Sequence, residues 1–202
     1  MITQKIGDTL RHVLDAIVRG FAASGINPNF LTFTGFAINC LAAYQFAYGY
    51  FRWAGVTIIL AGIFDMTDGR VARMANRVTP FGGFYDSVMD RYSDLSLLIG
   101  LLIYYGRINR YSYVCLVAVV MIGSVMISYT RARAENLIPS CKVGFLERPE
   151  RTVLIIIGAL FDRMAPVLWL IAALSNVTVI HRILYTRQEA RKLAASAVNS
   201  NA

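Results

Sequence analysis

From Phe30 to Phe51 the chain runs 22 residues without a charged side chain, and from Tyr111 to Thr130 it does so for 20 more. About 20 apolar residues make a helix that crosses the hydrocarbon of a bilayer. No other feature limits the fold as strongly. In lipid each backbone amide needs a partner close by in its own chain, which a helix supplies within the segment. Four further stretches extend the pattern. They run from about Trp53 to Met74, from Phe81 to Tyr105, from Thr152 to Phe161 (starting near Pro149, a residue suited to a first helical turn) and from Met164 to about Tyr185. The expected fold is an all-α integral membrane domain of six transmembrane helices over residues 26–188. With 56% hydrophobic residues the chain is too apolar for an ordinary soluble domain.

Residues 1–25 are different. Ile6, Leu10, Val13, Ile17 and Phe21 recur at helical spacing, with Lys5, Asp8, Arg11, Asp15 and Arg19 between them. That pattern predicts an amphipathic juxtamembrane helix lying in the interface, and the charges throughout exclude a signal peptide. Residues 189–202 are small and polar and read as a flexible tail. Cys40, Cys115 and Cys141 are scattered without metal spacing, and the first two, set in apolar runs, read as packing thiols.

Five of the chain's twelve acidic residues fall between Asp65 and Asp94, with apolar sequence on both sides. Carboxylates so close to a hydrocarbon environment are expensive unless they do chemistry. Asp65, Asp68 and Ala72 share one helix face, and Asp86 and Asp90 share one face of the next helix. The segment 77–83, with Pro80 inside it, reads as the connection, so the two helices must be neighbours. Four carboxylates then converge at one level, and like charges that close call for a cation. Hard oxygen ligands on rigid helices suit Mg²⁺ or Mn²⁺, and four of them suit two ions. Gly69, Ala72, Gly82 and Gly83 are small where the helices meet, and Arg73 stands one position off the aspartate face, within reach of a phosphate.

The string D-x2-D-G-x2-A-R-x8-G-x3-D-x3-D is met without a gap by Asp65, Asp68, Gly69, Ala72, Arg73, Gly82, Asp86 and Asp90. It resembles the signature of the CDP-alcohol phosphatidyltransferases. The resemblance implies an enzyme that moves a phosphatidyl-type group from a CDP-linked lipid such as CDP-diacylglycerol to a polyol and releases CMP. It implies that Asp65, Asp68, Asp86 and Asp90 hold the metal and that Asp90 is the base. It also implies that Asp65, Asp68, Gly69, Ala72, Arg73 and Gly82 contact the CDP-lipid. Asn29 and Thr32, which on their own read equally well as helix-capping residues, resemble a Pro-Asn-x-x-Thr near the family's nucleotide pocket. Homodimers are common in the family.

The formal charge of +8 points to cytoplasmic loops and to anionic lipid or phosphate partners rather than nucleic acid. Placing the aspartate end in the cytoplasm leaves Arg52, Arg107, Arg110 and Arg163 outside and the other 16 of 20 Lys and Arg on the inner side. That asymmetry obeys the positive-inside rule of a multi-pass cell-membrane protein. Arg131, Arg133, Arg148, Arg151, Arg182 and Arg187 cluster at the predicted cytoplasmic ends of spans four to six, more than anchoring requires, and arginine suits bidentate phosphate capture. Glu135, Glu147 and Glu150 are placed to orient them, and His181 reads as a capped interfacial histidine. Arg-Ala-Arg-Ala-Glu at 131–135, Glu-Arg-Pro-Glu-Arg at 147–151 and the late Arg182 are similar to phosphatidylinositol-phosphate synthases. That narrower resemblance implies a soluble inositol phosphate as acceptor, its phosphate bound by Arg131, Arg133, Arg148, Arg151 and Arg182. Glycerol phosphate is the second reading of the acceptor. A divalent cation carrier is the rival class, since it too would use intramembrane aspartates. Carriers, however, tend to place charges near the midplane of several helices and often show repeats.

Overall fold

The computed structural model describes residues 18–21 and 25–200, with side chains to residue 196. Six helices follow one another: α1 (Pro28–Ala47), α2 (Phe51–Met74), α3 (Pro80–Arg107), α4 (Tyr111–Ala134), α5 (Arg148–Leu160) and α6 (Met164–Ser200). Among the described residues there is no strand. The helix starts are written in the sequence. Asn27 accepts the Asn29 amide at 3.0 Å, with Pro28 in the first turn of α1. Thr79 accepts the Gly82 amide at 2.9 Å at the start of α3. Glu147 and Glu150 form a reciprocal capping box at the start of α5, with Pro149 beside it.

Four of the five connections between these helices begin the same way. A residue with positive φ follows each helix: Gly49 (82°), Asn76 (51°), Asn109 (55°) and Asp162 (54°). The next amide then reaches back five residues, from Tyr50 to Gln45, Arg77 to Ala72, Arg110 to Tyr105 and Arg163 to Gly158, at 2.8–2.9 Å. These are Schellman closures, which satisfy the last carbonyls of a helix.

Pro28–Ala47, Tyr111–Ala134 and Met164–Ser196 are long and apolar enough to cross a membrane. Six such spans were expected. α2 and α3 have the length, 24 and 28 residues, but their charges lower their apolarity. α5 has 13 residues, about 20 Å at 1.5 Å per residue, short of a hydrocarbon core of about 30 Å. The helix expected to end near Tyr185 and give way to a tail continues to Ser200. Trp53, Tyr111, Phe161 and Trp169 are exposed close to the turns, where aromatic rings anchor a protein at the bilayer surface.

The chain divides into two compact units, residues 1–100 and 101–202. In the first, α1 packs along α2. The buried stripe of α2 is Ala54, Ile58, Ala61, Asp68 and Val71, and that of α1 is Thr32, Gly35, Asn39, Ala42 and Phe46. The helical period that buries hydrocarbon therefore carries on into an aspartate. Gly100 of α3 lies against α1, where a Cβ would run into the Ala43 carbonyl; small residues permit such close approach. Most of the expected interfacial helix lies outside the described residues. Its residues 18–21 are helical, and Val18 and Phe21 pack with Leu31, Phe64 and Val71.

In the second unit α6 packs on α4 and α5. Gly123 of α4 meets Ser175, and Gly158 of α5 meets Val167 and Met164. The 135–147 connection is tied down by Ile138 and Cys141, which are buried with Val143, Tyr185 and Ala190. Gly144, at φ 135°, sits where a Cβ would stand 2.5 Å from the Thr178 methyl. Cys40 and Cys115, expected as packing thiols, are exposed; Cys141 is the buried one.

Candidate active site

A cavity of about 290 Å³ opens in the first unit. α1 contributes Pro28, Asn29 and Thr32; α2 contributes Asp68, Gly69, Ala72 and Arg73; α3 contributes Gly82, Gly83 and Asp86. Arg77, Val78 and Thr79 of the α2–α3 link complete it. Seven residues expected to bind a CDP-lipid (Asn29, Thr32, Asp68, Gly69, Ala72, Arg73 and Gly82) thus line one space, although 36 positions separate Thr32 from Asp68. Asp65 and Asp90 lie outside that lining.

Asp68 is the best-held group in the cavity. Thr32 Oγ1 donates to its Oδ2 at 2.7 Å, and the Gly69 amide donates to its Oδ1 at 2.5 Å. Thr32 is not the cap of its helix. Asn27 caps α1, and Thr32 holds a carboxylate. Asn29 lines the cavity, its Oδ1 3.5 Å from the position a Cβ on Gly82 would take. Gly35 does for Asp65 what Gly82 does for Asn29: a Cβ at 35 would stand 3.0 Å from Asp65 Oδ1.

The carboxylates of Asp65 and Asp86 are near enough to act electrostatically on Asp68, and Asp90 lies 3.8 Å from Arg91. The four do not close on a point. Among the described residues no three acidic, imidazole or thiol groups are gathered as ligands of one ion. The expected convergence is thus a neighbourhood rather than an assembled cage, with both oxygens of Asp68 occupied by protein donors. The donor chemistry, all hard carboxylate oxygen, fits Mg²⁺ or Mn²⁺.

In the second unit the arginines expected to bind a phosphate divide into two groups. Arg133 is exposed, and Arg131 and Arg148 are half-buried. Arg131 is oriented by Glu135 at 3.1 Å and by Glu147 at 3.2 Å. Arg151 and Arg182 are only 2% and 1% exposed. Arg182 was expected to present its guanidinium to a ligand. Instead it donates to the Val143 carbonyl at 2.8 Å, the Ile127 carbonyl at 2.5 Å and Glu147 at 2.7 Å. The reason is periodicity: Leu168, Ile171, Ser175, Thr178 and Arg182 form one buried stripe of α6. Thr178 on that stripe accepts the Phe145 and Leu146 amides at 3.2 Å each. Glu150 serves the helix cap rather than an arginine. His181, expected to be capped, stacks on Phe145 with a buried Nδ1 that has no partner among the described residues. Sequence reasoning missed Gly35, Arg77 and Thr79, none of which stands at a signature position.

The family model for CDP-alcohol phosphatidyltransferase matches residues 26–195. An archaetidylinositol phosphate synthase of Pyrococcus horikoshii is 38% identical over 180 residues, 89% of this chain and 93% of that one. The fold is similar to a crystal structure of Mycobacterium tuberculosis phosphatidylinositol phosphate synthase with CDP-DAG bound. That match has a TM-score of 0.80 and 28% identity, and covers 87% of this chain and 94% of that one. A second crystal structure of the same enzyme, in complex with manganese and citrate, matches with a TM-score of 0.78 and 30% identity over 86% and 88% of the two chains.

Proposed function

The chain belongs to the CDP-alcohol phosphatidyltransferase family, and on that premise we propose that it joins a CDP-linked lipid to inositol phosphate at the membrane and releases CMP. The observation that carries the reading is the cavity in which six of the eight signature residues meet Asn29 and Thr32. Asn29, Thr32, Asp65, Asp68, Gly69, Ala72, Arg73 and Gly82 hold the nucleotide and diphosphate of the donor. Asp65, Asp68, Asp86 and Asp90 hold the divalent cations, two by our reading. A divalent cation held there would supply charge neutralisation for the diphosphate. Asp90 accepts the proton of the attacking acceptor hydroxyl. The new O–P bond forms at the lipid-side phosphorus, the bond from that phosphorus to the bridging oxygen breaks, and CMP leaves with that oxygen.

Arg131, Arg133 and Arg148 meet the acceptor phosphate, with Arg151 and Arg182 beneath them. The phosphorylated-inositol products in the relatives' names support the acceptor. We place the site on the cytoplasmic side of the cell membrane, because the Lys and Arg asymmetry favours it. We also read α2, α3 and α5 as membrane helices, completing six, and the working form as a homodimer.

The test is a panel of acceptors. Purified protein with Mg²⁺ and labelled CDP-diacylglycerol, or its ether-lipid analogue, is expected to release CMP with inositol phosphate. Serine and free inositol should be poor. Turnover with serine alone overturns the acceptor reading, and turnover with glycerol phosphate alone changes the product to a phosphatidylglycerophosphate.

Gly35 gives a second expected result. Gly35→Ala puts a methyl against Asp65 Oδ1 and displaces the carboxylate by a few tenths of an ångström. Since a misplacement of about 1 Å can cost a hundredfold in rate, turnover should fall roughly tenfold with little change in melting temperature. Equal turnover at limiting Mg²⁺ would show that Asp65 needs no fixed position.

A further inference from the structure

We propose that Arg77, which lies outside the family signature, is a second cationic contact for the donor's diphosphate, alongside Arg73 in the same cavity lining. The inference rests on the donor-site reading above and adds a residue to it. Both arginines line the cavity, and among the described residues neither makes an ion pair. Arg77 commits one N–H, from Nη1, to the Gly25 carbonyl at 2.9 Å. A guanidinium has five such donors, so most of its capacity is left for a ligand.

The position is set from three directions. The Arg77 amide closes the C-terminus of α2 on the Ala72 carbonyl at 2.9 Å. Two residues later Thr79 caps α3. The bond to Gly25 then ties this link to the turn that leads into Asn27, Pro28 and Asn29. The side chain therefore starts from a fixed backbone on the cavity wall. A diphosphate diester carries two negative charges, and Arg73 alone leaves one without a cationic side chain. Asp68 and Asp86 on the same cavity repel the donor unless cations offset them. Arg77 supplies a positive charge that requires no metal, and so acts on the nucleotide even when metal is absent.

The experiment is calorimetric titration of the purified full chain with CDP and, separately, with cytidine, in EDTA and in Mg²⁺. Loss of a charged contact should weaken CDP binding by about tenfold or more in Arg77→Ala and leave cytidine, which has no phosphate, unchanged. Arg77→Gln keeps a donor for Gly25 without the charge, so it should behave like Arg77→Ala; Arg77→Lys should recover part of the affinity. KM for CDP-diacylglycerol should rise in step while KM for inositol phosphate holds. CDP and cytidine weakened equally, or Arg77→Gln binding like wild type, would mean that Arg77 only ties the turn, and the proposal falls. Wild-type protein that binds no CDP removes the donor-site reading and this inference together; wild-type binding with an unaffected Arg77→Ala removes this inference alone.

Discussion

Asp68→Asn protein, given CDP-diacylglycerol, Mg²⁺ and inositol phosphate, is expected to release CMP about a thousandfold more slowly than wild type while melting at nearly the same temperature. The geometry explains why the fold should survive. The substituted amide keeps the shape of the carboxylate, and its oxygen still accepts the Gly69 N–H that now reaches Oδ1 at 2.5 Å. On the other side an NH₂ replaces Oδ2, and the Thr32 hydroxyl turns its proton to the Pro28 carbonyl, already 3.2 Å away, and accepts instead. The Gly69 amide and the Thr32 hydroxyl therefore both keep partners. What is lost is one negative charge among Asp65, Asp68 and Asp86. Charge stabilisation around a bound metal is worth several kcal/mol in a transition state, and about 4 kcal/mol is a thousandfold in rate. Asp65→Asn and Asp86→Asn should show losses of the same order. Near-normal turnover of Asp68→Asn at limiting Mg²⁺ would remove it from the set of ligands.

Arg182→Ala should instead fail as a folded protein. Removing a buried guanidinium takes from Glu147 its 2.7 Å partner and takes one donor each from the carbonyls of Val143 and Ile127. Hydrogen bonds to a charged group are worth about 1.5–3 kcal/mol each, and the loss of three takes a large share of the stability of an ordinary domain. The measurement is thermal unfolding in detergent, with a large fall in midpoint and poor recovery of intact protein expected. Arg182→Lys should rescue little, because one ammonium on a flexible stem cannot reach three acceptors set in different directions. A variant that melts like wild type but has a tenfold higher KM for inositol phosphate would make Arg182 a ligand contact rather than a tie.

Much of the cavity lining was legible because its information is local. Aspartates three and four apart on apolar helices announce a shared face, and the signature spacing links the two helices across a short connection. Thr32 was ambiguous for the opposite reason: a cap and a long-range partner look the same until the second helix is in place. Asn27, one residue before the proline, took the capping role. Arg182 misled because a cluster of arginines reads as a surface, whereas burial depends on which stripe of α6 faces α4. The signal was present in Leu168, Ile171, Ser175, Thr178 and Arg182, all at i+3 or i+4 spacing, and a helical-wheel reading would have placed the arginine inside. Arg77 carried no signal, since the turn it ties lies 52 residues away. Of the six expected spans, α2 and α3 do not stand out by apolarity because charge at one end of each takes away the continuous apolar run by which a span is recognised.

The four Schellman closures have a consequence for how such a chain is made. A helical hairpin leaving the ribosome into a membrane must carry its turn past lipid or headgroups before the rest of the protein exists to shelter it. At Tyr50, Arg77, Arg110 and Arg163 the turn already satisfies the carbonyls it would otherwise expose, and three of those four residues are exposed arginines. Pairs of helices can therefore be delivered during synthesis as closed units that leave few backbone groups seeking partners. The 13-residue connection at 135–147 has no such closure, and is the one join whose order must await the later arrival of Thr178 and Arg182.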